Sequence, residues 1–152
     1  MKKSMNKIFI LLLMILSISC GKRNEIESIF IANKDEYWQH YDYCYNTGGN
    51  CFKFKKDDTC DLYLMFNDKP FFRLFNSDGD VVNDPGTWSI KNDSTFIWDK
   101  EVFKIEKLTK NEILLSYSDY EIKGKKCYVR LSKWAKTPQG PKHLGVENNA
   151  KE

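Results

Sequence analysis

From Tyr37 to Trp134 the chain repeats one pattern: a short run of alternating apolar and polar residues, a turn signal, then another such run. Period-two alternation gives a strand one apolar face, and runs at about 8–12-residue spacing predict an antiparallel sandwich or barrel. Cys60, Leu62, Leu64 and Phe66 alternate with Asp61, Tyr63 and Met65; Trp88 and Ile90 alternate with Thr87 and Ser89. Similar runs cover Tyr37–Tyr45, Cys51–Lys55, Phe71–Phe75, Thr95–Trp98, Val102–Leu108, Glu112–Ser118, Tyr120–Lys123 and Lys126–Trp134. Asp57-Asp58, Asn67–Pro70, Ser77–Asp80, Asp84–Gly86, Asn92–Ser94, Thr109–Asn111 and Gly124-Lys125 punctuate them, with residue types suited to turns. No apolar stripe of period 3.6 has useful length, so a large helix is not expected. A meander of hairpins must bury its apolar face, and closure into a barrel also removes the sheet edges.

Composition agrees with this reading. Ten Phe, eight Tyr and four Trp, with alanine almost absent before Ala135, favour strands over helices. The net charge of +3 belongs to the first residues, where Lys2, Lys3 and Lys7 stand. The remainder carries 21 basic and 21 acidic residues, a balance that gives no footing for nucleic acid or for adhesion to an anionic membrane.

The chain opens with a basic stretch, Met1–Lys7, followed by an unbroken apolar run from Ile8 to Leu16 and then Ser17-Ile18-Ser19-Cys20-Gly21. That is the grammar of an export signal, and the run is too short to span a membrane, which takes about 18 or more residues. A cysteine after such a run resembles the lipobox of bacterial lipoproteins, with Ser17 in the place usually held by leucine. The resemblance implies a signal peptide over 1–19 and acylation of Cys20, which becomes the mature N-terminus. Residues 20–34 are then read as lipidated cysteine and tether, in which Ile26, Ile29, Phe30 and Ile31 could form a short helical turn or first strand, 35–135 as the barrel domain and 136–152 as a flexible C-terminal tail. The expected location is the cell envelope. The chain would be anchored by lipid to the outer membrane, since Gly21 is not the aspartate that retains some lipoproteins on the inner membrane, and would face the periplasm, since no acidic run after Cys20 signals export to the cell surface.

Cys44, Cys51, Cys60 and Cys127 remain, an even number that in an exported protein points to disulfides. A two-residue turn at Thr47-Gly48 would set Cys44 opposite Cys51, which predicts Cys44–Cys51 and leaves Cys60–Cys127 to tie an early strand to the last. Zinc is the competing reading. It fails on spacing, because no two cysteines stand two to four residues apart.

Gly86-Thr87-Trp88-Ser89-Ile90, an Asn92-Asp93 turn, Thr95-Phe96-Ile97-Trp98, and the hairpin Ile105-Glu106-Lys107-Leu108-Thr109-Lys110-Asn111-Glu112-Ile113-Leu114 resemble the small lipocalin-like domains of bacterial lipoproteins. The resemblance covers about Gly86 to Ser118. It implies an all-β, up-and-down antiparallel β-barrel of about eight strands, which either fills with its own side chains or holds one small ligand.

No catalytic constellation is visible. His40 shares a strand face with Asp42, but no nucleophile completes the pair, and the ordinary reading is a strand histidine. Asp78-Gly79-Asp80 is too short for a calcium loop, and no phosphate loop or H-E-x-x-H occurs. The expectation is a protein that is not an enzyme and needs no cofactor or metal. Trp38, Phe71, Arg73, Phe75, Trp88 and Trp98 are the candidate lining of an apolar cavity, set against the plainer reading that they form the core. Tyr37, Tyr41, Tyr43 and Tyr45 share one face, as a partner-binding stripe or as packing on the barrel wall. Two functions stand: a binding module for a small apolar ligand, or an interaction protein (envelope-complex subunit or inhibitor of an exported enzyme) with a filled barrel.

Overall fold

The computed structural model describes residues 25–69, 71–75 and 85–145. The expected signal peptide, Cys20, the turn at Ser77–Asp80 and the end of the expected tail lie outside the described residues.

A short helix, 25–30, precedes ten strands: β1 (Glu36–Asp42), β2 (Thr47–Phe54), β3 (Thr59–Met65), β4 (Phe72–Leu74), β5 (Gly86–Asn92), β6 (Thr95–Trp98), β7 (Glu101–Leu108), β8 (Glu112–Ser118), β9 (Lys126–Thr137) and β10 (Gly140–His143). Eight of them form a ring in the order β1-β2-β3-β5-β6-β7-β8-β9, and β1 pairs with β9 to close it. Every strand pairing is antiparallel, so the expected up-and-down barrel of about eight strands is the observed fold. β4 lies outside the ring against β3, and β10 lies outside it against β9.

Alternation does the sorting. On β1, Trp38, His40 and Asp42 face inward, opposite Phe52 on β2 and Lys133, Leu131 and Val129 on β9. Phe54, Cys60, Trp88, Ile90, Phe96, Phe103, Ile113 and Leu115 join them, and Phe30 completes this core from the helix. Phe30 is fully buried, stacks on Phe96 at 4.4 Å between ring centres, and its carbonyl accepts a 2.7 Å hydrogen bond from Trp38 Nε1. The helix thereby stoppers one end of the barrel. Trp88 ties the neighbouring turn to that end, donating from Nε1 to the Lys55 carbonyl at 2.9 Å. Lys133 is buried beside them, its ammonium 4.5 Å from the centre of the Trp38 ring and 3.7 Å from Glu36 Oε2.

The folded part thus reaches beyond the expected 35–135 span on both sides. The tether includes a helix whose apolar residues, Ile26, Ile29 and Phe30, pack into the core. The tail includes β10, which pairs with β9 from Gly140↔Thr137 to His143↔Trp134 with Pro141 inside the strand and Pro138 just before it. An outer strand tolerates proline because one of its edges has no ladder to complete.

The cysteine pairing is corrected. Cys44 and Cys127 are joined, with Cα atoms 5.5 Å apart, and Cys51 and Cys60 are free and buried. The turn falls earlier than expected: β1 stops at Asp42, whose Oδ1 accepts from the amides of Cys44 (2.7 Å) and Tyr45 (3.1 Å). This local carboxylate turn puts Cys44 in the loop and sets Asp42 opposite Thr47, so Cys51 comes to face Gln39 instead. Cys51 and Cys60 cannot pair with each other either. Cys51 packs on the outer face with Tyr37, Phe71 and Phe72, whereas Cys60 belongs to the inner core.

Candidate functional site

The end opposite the helix stays open. Its cavity is about 860 Å³, lined by His40, Asp42, Tyr45, Trp98, Asp99, Glu101, Val102, Phe103, Tyr117, Ser118, Tyr120 and Val129. The volume falls within the range of small-molecule sites. Four strands supply its inner wall: β1 brings His40 and Asp42, β6 brings Trp98, β7 brings Phe103 and β8 brings Tyr117.

Local backbone features set these side chains. On β2, Gly49 (φ 96°) and Asn50 together oppose the single His40, a bulge that bends the wall at the histidine. At Gly48 a Cβ would stand 2.7 Å from Tyr41 Cδ2 and 2.9 Å from the His40 carbonyl, so the two strands meet here only with glycine. Asp99 (φ 47°) leads the β6–β7 turn and accepts the Thr87 amide at 2.6 Å. A Cβ on Gly86 would meet the Asp99 carboxylate at 2.9 Å, which explains the glycine of Gly86-Thr87-Trp88.

The walls are aromatic. His40 meets the rings of Phe52 (5.9 Å) and Trp98 (5.8 Å) edge to face, and Trp98 lies 6.3 Å from Phe103. Phe103 in turn packs against Tyr117 at 5.5 Å. Burial pulls the His40 pKa below its ordinary value, although the Asp42 charge acts in the opposite sense. The imidazole is therefore neutral at neutral pH. Tyr117 donates its hydroxyl proton to Asp42 Oδ2 at 2.6 Å, and burial and this carboxylate push the phenol pKa well up.

A second opening of about 350 Å³ adjoins the first, lined by Phe52, Cys60, Asp61, Leu62, Leu74, Phe75, Pro85 and Gly86, and sharing Trp98 and Asp99 with it. It sits where β3 and β5 touch at only two residue pairs, Thr59↔Thr87 and Cys60↔Gly86.

Of the six residues singled out in the sequence, Trp98 lines both openings and Phe75 the second. Trp38 and Trp88 pack at the stoppered end. Phe71 lies in the outer cluster, and Arg73 lies on the outer strand β4 with its guanidinium 4.8 Å from the Phe66 ring. Of the tyrosine face, Tyr37 is covered, stacked on Phe72 at 3.9 Å, whereas Tyr43 and Tyr45 stand exposed in the turn beside the mouth. Phe103 and Tyr117 were missed. Their inward parity could be read from the alternation, but nothing in the sequence marked their height along the barrel.

Cys44, Cys127 and Asp119 form the one tight group of metal-ligand types among the described residues, and the disulfide occupies both sulfurs. No family model matches the chain, and no curated protein matches it in sequence.

Proposed function

We propose that this chain is a lipid-anchored envelope lipoprotein, without enzymatic activity, whose barrel holds a small, largely apolar ligand in its open end. The open, aromatic-walled cavity of about 860 Å³ carries this reading. The opposite end is stoppered by Phe30, so the space is a cup closed at that end.

The anchor suits that role. Four residues separate Cys20 from the helix, a reach of at most about 18 Å even when fully extended. Acyl chains on Cys20 would hold the stoppered end near the bilayer and turn the mouth away from it, toward the periplasm if the anchor lies in the outer membrane. Native mass spectrometry of the protein purified from membranes tests the binding role. The expected result is extra mass lost on denaturation; a bare polypeptide that also takes up no added apolar compound would overturn it. Loss of radiolabelled palmitate from a Cys20→Ala variant tests the anchor.

One observation favours the second reading, an interaction protein. Tyr45, Val102 and Tyr120 are exposed at the mouth, with Tyr43 and Ile122 exposed in the adjoining turns, and clustered aromatic residues are characteristic of protein interfaces. Under that reading the rim meets an envelope-complex subunit or an exported enzyme.

A further inference from the structure

The mouth cavity has a one-sided charge. Its lining includes three carboxylates, Asp42, Asp99 and Glu101, and no lysine or arginine. Of the bases near it, Lys125 pairs with Asp119 at 3.1 Å and Lys126 with Glu106 at 2.6 Å, and Lys100, in the turn between Asp99 and Glu101, is not part of the lining. Asp42 is the decisive one. It is 7 % exposed, and its oxygens receive only neutral donors, the amides of Cys44 and Tyr45 and the hydroxyl of Tyr117. Among the described residues no cation pairs with it, whereas buried charges in folded proteins are ordinarily matched.

The surfaces around that carboxylate are ring faces and edges: Trp98, Phe103 and Tyr117 within, Tyr45 and Tyr120 at the rim, the last two stacked at 6.3 Å. Aromatic faces attract ammonium groups, more strongly where water is excluded. His40, the only other group in the cavity able to become cationic, stays neutral at neutral pH and does not compete for the carboxylate.

We infer that the cavity selects a small organic cation, an amine carried on a flat apolar body, with the ammonium directed to Asp42 and the body held among Trp98, Phe103 and Tyr117. This rests on the barrel being a binding module and names the class of ligand it takes. Asp99 and Glu101 draw the cation toward the mouth, and the rings then accept both its apolar body and its charge.

Three probes with one ring and different charges test the inference: phenethylamine, 2-phenylethanol and phenylacetate. Each is titrated into the full-length protein in neutral detergent micelles at neutral pH, followed by tryptophan fluorescence. The amine is expected to bind about tenfold more tightly than the alcohol, and the acid most weakly. Asp42→Asn, whose amide oxygen can still accept the two turn amides, should bring the amine's affinity down to about that of the alcohol measured on the same variant. If that variant does not fold, Glu101→Gln and added salt provide the second measurement, each reducing the amine's advantage. Equal binding of amine and alcohol, or tighter binding of the acid, would overturn the cation inference and leave the binding module standing. Failure of all three probes to bind would overturn both.

Discussion

Tyr117 and Asp42 are 75 residues apart in sequence and 2.6 Å apart in the fold, their hydrogen bond reaching across β9 from β8 to β1 at the mouth of the barrel. The bond joins β8 to the carboxylate that also fixes the β1–β2 turn.

Replacing Tyr117 with phenylalanine removes one of three donors to a buried carboxylate. Hydrogen bonds to charged groups contribute about 1.5–3 kcal/mol, and urea denaturation of Tyr117→Phe should show a loss in that range. A loss under about 0.5 kcal/mol would mean the bond is not maintained in solution.

Phe30 stoppers the barrel from outside the strand framework. Phe30→Ala should lower stability by about 3–5 kcal/mol, the usual cost of truncating a buried phenylalanine, as measured by chemical denaturation. A chain beginning at Asp35 also loses the acceptor of Trp38 Nε1, and should fold less stably than one that retains the helix.

The single bridge between Cys44 and Cys127 predicts an oxidised protein two hydrogens lighter than its fully reduced form. Cys51 and Cys60 should resist alkylation until the chain is denatured, since burial pushes the Cys51 thiol up to about 12 and raises that of Cys60 as well. Four fewer hydrogens would restore the two-disulfide arrangement. Because the bridge spans 83 residues, its removal should cost about 4.5 kcal/mol on a chain-entropy account.

Glu106 on β7 accepts from Lys126, Ser116 and Lys104, and these bonds hold its carboxyl down at about 2. A folded pKa below the unfolded one gives stability that is complete above the ordinary value of 4.5 and lost as pH falls toward 2. Glu106→Gln should therefore show a shallower loss of stability across that interval than the parent protein, read from thermal melts at a series of pH values.

The wall of the barrel was legible because alternation reports which face of a strand each residue occupies. Trp88 and Ile90 shared one face in the sequence, and both face inward. What alternation does not report is position along the barrel axis. Trp38 and Trp98 look equivalent as inward tryptophans, yet one packs under the stopper and the other lines the mouth. Pairing of the cysteines failed for a related reason. A shift of the turn from Thr47-Gly48 to residues 43–46 came from the Asp42 side chain, a local contact that period-two reasoning does not see. For Ile26, Ile29 and Phe30 a helical turn and a first strand both stayed open, because six residues have too few turns to show a stripe.

The β3–β5 joint is the thin place in the ring: two residue pairs, reinforced by the Trp88 amide bonding to the Asp58 carbonyl at 2.9 Å, against seven pairs between β1 and β9. Amide hydrogens should therefore leave unevenly in deuterated water. Those of Thr87 and Trp88 would exchange early, through a local opening that leaves the rest of the wall intact, and those of β1, β8 and β9 would persist until the whole domain unfolds.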